Sequence, residues 1–117
     1  MLRRRTAEKL ATYRPLAATS RLAAVRLLSL WQTVQFLKPH GQVVLVRLPA
    51  GPAMAALEQQ YQPDFDQLMG QLAARQGVAY LNYLGQPYPT NDGNHLTRIA
   101  AEQFSQRLAA DIAELGR

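Results

Sequence analysis

Val43-Val44-Leu45-Val46 is a continuous apolar run rich in β-branched residues, closed by Pro49, Gly51 and Pro52. A strand with one wet face alternates apolar and polar residues. A strand that is apolar at every position has both faces covered, the usual condition of a parallel sheet. That cover comes from helices, so the run directs the chain towards an α/β layer architecture. A second short strand is expected at Val78 to Leu81, after a helical stretch. A crossover of about 30 residues between two strands makes a parallel strand–helix–strand unit, right-handed by strong precedent.

The other elements fall around this unit. Residues 1–15 are basic and end at Pro15, and read as a loosely ordered arm holding no more than a helical turn. Thr19 or Ser20 can cap a helix that runs to about Leu37 and stops at Lys38, Pro39 and Gly41. Its apolar residues (Val25, Leu27, Leu28, Leu30, Trp31, Val34 and Phe36 among them) cover more than one face, which predicts packing on two sides. Ala53 to Tyr61 reads as a short helix. Pro63 and Asp64 open another, with Phe65, Leu68, Met69 and Leu72 at helical spacing and Gly77 closing it. Tyr83 to Asn91 is a loop. A last helix is expected from about His95 to Leu115, with Leu96, Ile99, Ala100, Phe104, Leu108, Ile112 and Leu115 forming one stripe. Two strands are few, since sheets of this class usually have roughly four to six. Residues 16–117 therefore have the pattern of the last third to half of a larger doubly wound domain. Upstream strands or a second copy would supply the missing surface.

Composition removes several function classes. The chain has 117 residues, enough for one domain, and is 48% apolar with no cysteine. No thiolate metal site or disulfide framework is available, and His40 and His95 are too few for a self-contained zinc site. There is no Gly-rich phosphate loop and no internal repeat, so no cofactor is expected. Charge is uneven: residues 1–47 hold nine Lys/Arg against one Glu (net +8), and residues 48–117 hold four Arg against seven acids (net −3). Arg3, Arg4 and Arg5 could meet phosphates, but no recognition helix or aromatic platform accompanies them, so nucleic acid is disfavoured as a partner. The apolar stretch Leu22 to Leu37 is shorter than the roughly 20 residues of a membrane span. Thr6 to Arg14 is not the apolar core of a signal peptide, and a cytoplasmic location is the default expectation.

The chemistry concentrates at Asp92-Gly93-Asn94-His95. An Asp and a His three positions apart on a tight loop can form a general base and the carboxylate that orients it. The same residues are also good turn and cap formers, and a simple capped turn stands beside the chemical reading. Trp31 reads as core, and His40 as a solvent-exposed loop residue. Tyr80, Tyr83 and Tyr88 could line a pocket mouth or simply pack.

Three segments in order carry a family resemblance: Val43 to Pro49, then Gly77-Val78-Ala79-Tyr80-Leu81, then Asp92-Gly93-Asn94-His95-Leu96-Thr97 before an Ala-rich helix. Over roughly residues 30–115 the chain resembles the C-terminal part of SGNH (GDSL-type) hydrolases. The resemblance implies a flavodoxin-like three-layer fold and ester or acyl-group chemistry. His95 would be the general base and Asp92 its partner. The family's Gly-Asp-Ser nucleophile turn and its Gly-x-Asn-Asp motif are not in this sequence. Ser20, Ser29 and Ser105 all fall in expected helices.

Two functional expectations follow. In one, the chain is a hydrolase or acyltransferase portion that carries Asp92 and His95, lacks the nucleophile, and is inactive alone on an ester or acyl substrate. In the other, it is a non-catalytic α/β interaction module that dimerises through its apolar N-terminal helix, with Leu27, Leu30 and Trp31 in the interface.

Overall fold

The computed structural model describes residues 4–11 and 24–116. Two parallel strands, β1 (Val44–Arg47) and β2 (Ala79–Asn82), pair with Val44 opposite Ala79 and Arg47 opposite Asn82. Among the described residues the helices are α1 (residues 4–11), α2 (Ala24–Leu37), α3 (Pro52–Tyr61), α4 (Phe65–Gln76) and α5 (Arg98–Leu115). A 3₁₀ turn, Lys38–His40, ends α2. The chain is therefore α/β, with a strand–helices–strand unit at its centre. The expected caps at Thr19 and Ser20, and Leu22, lie outside the described residues.

Local chemistry explains the element ends. Pro52 occupies the first turn of α3, where its missing N–H costs nothing. Gly77 closes α4 in the left-handed region at φ +68°, and its N–H returns to the carbonyls of Ala73 and Ala74. Tyr80 and Tyr83 face opposite sides of the sheet. The Tyr80 hydroxyl reaches Asp66 on α4 at 2.6 Å, and the Tyr83 hydroxyl reaches Asp111 on α5 at 2.5 Å.

Four expectations need correction. First, residues 4–11 are helical and docked rather than loosely ordered. Leu10 is buried with Ala50, Met54, Leu57 and Leu84, so one apolar side chain anchors an otherwise basic segment. Second, α5 starts at Arg98, not at His95. Thr97 is its N-cap, and its side chain accepts the Ala100 N–H at 3.2 Å. Third, β1 is only half-buried along its length. Full cover requires flanking strands as well as helices, and among the described residues each strand has one neighbour. Fourth, α2 packs on one side. Val34 is buried, while Val25 and Phe36 are 67% and 71% exposed. The stripe of α5 is likewise buried only in part. Ala100 and Phe104 are enclosed, whereas Ile99 lies open to solvent, because a two-stranded sheet offers little surface to an 18-residue helix.

Candidate active site

The strands end at one rim of the molecule, and the loop after β2 folds back across it. That loop is closed by paired backbone: Thr90 bridges Leu96, the Asn91 N–H donates to the His95 carbonyl at 2.8 Å, and the Thr97 N–H to the Pro89 carbonyl at 3.0 Å. Gly93 turns the chain at φ +84°, a conformation that favours glycine. Its N–H donates to Thr90 Oγ1 at 3.0 Å, and its carbonyl accepts the Gly51 N–H at 2.8 Å. The loop is thus tied to the chain leaving β1.

Within this frame Asp92 does two jobs. Its Oδ1 accepts the backbone N–H groups of Asn94 (2.9 Å) and His95 (2.7 Å). Its Oδ2 lies 2.8 Å from His95 Nδ1. The contacts that a capped turn and an Asp–His pair each require are therefore both present, one on each oxygen. The Asp92 side chain is 15% exposed and the His95 ring 65% exposed. Burial raises the Asp92 carboxyl, but the bonds from the His95 ring and from the N–H groups of Asn94 and His95 outweigh it and hold the group down at about 2. An ionised carboxylate on Nδ1 leaves Nε2 as the ring atom able to take a proton. Since α5 begins three residues later, His95 lies outside the helix, in the loop that precedes it.

A cleft of about 550 Å³ lies against β1, lined by Leu45 to Ala50, by Leu30, Tyr61, Phe65, Met69 and Tyr80, and by Asn94. Asn94 joins the cleft to the Asp92–His95 loop. Arg47 is spent on structure: it meets Asp66 at 2.9 Å and Glu58 at 3.5 Å, and lies 4.5 Å over the Phe65 ring. Tyr80 walls the cleft, and burial and the Asp66 carboxylate push its phenol up. Tyr83 and Tyr88 pack edge-on to Phe104 at 4.9 and 5.5 Å, and burial with Asp111 takes the Tyr83 phenol up to about 12.

The serines give no nucleophile at this loop. Ser29 and Ser105 are exposed within α2 and α5, the Ser29 carbonyl accepting the Thr33 hydroxyl at 2.8 Å, and Ser20 lies outside the described residues. Trp31 is half-buried, and its carbonyl accepts the Gln76 amide at 3.1 Å. His40 is exposed in the turn after α2, 5.7 Å from the Phe36 ring. Among the described residues no group of three or more His, Cys, Asp or Glu is placed to hold a metal ion, and no helix is long and apolar enough to cross a membrane. Sequence reasoning missed Lys9, whose Nζ stands 3.9 Å from Asp92 Oδ2. A lysine inside a basic run carries no signal of a distant partner. Comparison with protein-family models, with curated proteins and with solved structures gives no match.

Proposed function

We propose that this chain is the C-terminal portion of an SGNH-like hydrolase or acyltransferase domain, flavodoxin-like in plan. In this reading Asp92 and His95 form the acid–base half of an acyl-transfer site. The serine and the oxyanion donors come from a segment outside these residues. The observation that carries the reading is the 2.8 Å contact between Asp92 Oδ2 and His95 Nδ1 on a loop fixed at the C-terminal end of parallel strands. Open α/β sheets place their ligands at that end. The cleft along β1, whose outer edge has no strand beside it among the described residues, supports the same division of the site.

The chemistry follows from the two ring nitrogens. Nε2 of neutral His95 takes the proton of a serine hydroxyl as its oxygen attacks an acyl carbonyl. The ionised Asp92 carboxylate stabilises the imidazolium that results, and the ring then passes the proton to the leaving alkoxide. The tetrahedral intermediate also needs preorganised donors, which the missing segment would bring.

The test is to read the flanking coding sequence for a Gly-Asp-Ser segment in the same or an adjacent frame, and to produce the two together. The expected result is fluorophosphonate labelling of that serine, lost in His95→Ala. No such segment, or labelling indifferent to His95, would refute the assignment.

A second reading has its own observation. Val25, Leu28, Phe36 and Leu37 leave one side of α2 exposed and apolar. In the interaction-module reading this side, rather than the half-buried Leu27, Leu30 and Trp31, forms a dimer contact. Sedimentation at micromolar concentration decides it: a dimer dispersed by Phe36→Glu supports the module, and a monomer contradicts it.

A further inference from the structure

α1 lies against the acid–base loop, and three contacts place it there. Lys9 Nζ stands 3.9 Å from Asp92 Oδ2, the same oxygen that meets the His95 ring. Thr6 sits over Gly93, so closely that a Cβ at Gly93 would come 3.0 Å from Thr6 Cγ2. Leu10 is buried among Ala50, Met54, Leu57 and Leu84, which fixes the rotation of the helix.

We propose that Lys9 is a positioning residue for the Asp92–His95 pair, with α1 delivering its ammonium to the carboxylate oxygen that orients the imidazole. The inference rests on the acid–base reading of that pair. Two cationic partners then draw on one oxygen. With Lys9 in place, the ammonium and the imidazole share one carboxylate oxygen, so the charge of Asp92 is divided between them. The basic N-terminal segment is thereby coupled to the site.

Among the described residues, Asp92 faces the ring from the loop, and Lys9 reaches Asp92 from α1. At the start of α5, Arg98 is turned to Glu102 at 3.6 Å, and on the outer turn of α1, Arg4 is paired with Glu8 at 3.1 Å. The Lys9 side chain is 34% exposed, so the coupling is modest and sensitive to salt.

An NMR titration of the two histidines in the full chain at low ionic strength tests this, with His40 as the internal reference. In Lys9→Met the His95 midpoint should rise, the direction expected when a positive charge beside the Asp92 carboxylate is removed. Lys9→Arg should restore the original midpoint, and His40 should not move. Lys9→Gln gives the same measurement should the apolar variant loosen α1. An unmoved His95 midpoint in a folded Lys9→Met or Lys9→Gln, or equal movement of His40, would overturn the inference. Serine labelling decides the hydrolase reading separately.

Discussion

The backbone N–H of Gly51 donates to the carbonyl of Gly93 at 2.8 Å, and the two glycines are in van der Waals contact. This bond joins the chain leaving β1 to the turn that presents Asp92 and His95. A Cβ at Gly51 would stand 3.2 Å from both the Cα and the carbonyl oxygen of Gly93. The site thus depends on two backbones approaching closely, with Met54 beneath them and Thr6 above.

Gly93→Ala should be the most damaging small substitution in the loop. The residue holds φ +84°, and a Cβ there would meet Thr6 Cγ2 at 3.0 Å and Met54 Cγ at 3.1 Å. Left-handed strain and overpacking together should cost about 2 kcal/mol. Thermal melting should show a loss of roughly 5–10 °C.

Acid stability should report on Asp92. Its folded-state value lies below the usual 3.8, at about 2. A depressed carboxyl contributes stability at pH values above the unfolded-state value, and that contribution drains away as pH falls through the folded-state value. The window is therefore about pH 4 down to pH 2, and the contribution about 2 kcal/mol. Denaturant midpoints should fall through this window in the wild type and flatten in Asp92→Asn.

Removing the two partners should have unequal effects on folding. The His95 ring is 65% exposed, and its loss leaves Asp92 still accepting two backbone N–H groups, so His95→Ala should cost less than about 1 kcal/mol. Asp92→Ala removes the acceptor for both N–H groups and for the ring, and should cost about 2 kcal/mol. Comparable melting losses in the two variants would mean that the ring itself holds the loop.

The chain alone should not react with a fluorophosphonate. Ser29 and Ser105 are exposed on helices, with no imidazole hydrogen-bonded to either. Mass-spectrometric detection of an adduct on Ser20, Ser29 or Ser105 would place the nucleophile where the sequence reading does not.

Much of the frame was legible because it is local. The Val43–Val46 run and the Gly77 stop each encode one backbone preference, and each stands at or beside the expected element boundary, while Pro52, expected only to close the strand, opens α3. The Asp92–His95 contact was legible because both residues belong to one short turn. What escaped the sequence was set by distant partners. Lys9 and Leu10 look like part of a solvated basic tail until the Asp92 loop and the α3 core are placed beside them. The start of α5 was misplaced because Asp92 and Thr97 are both good cap residues. The Thr90–Leu96 bridge assigns Asp92 to the loop and leaves Thr97 to the helix. The open side of α2 and the half-buried β1 were unreadable for a different reason: their apolar residues signal burial without saying what buries them.

The Asp92 carboxylate, 2.8 Å from Nδ1 of the exposed His95 ring, should fix its tautomer so that Nε2 is free to accept a proton. Nitrogen-15 NMR of the histidine rings, recorded where they are neutral, measures this directly. His95 should be protonated on Nδ1 with Nε2 bare, and this preference should be lost in Asp92→Asn. A neutral His95 carrying its proton on Nε2, or one unchanged by Asp92→Asn, would contradict it.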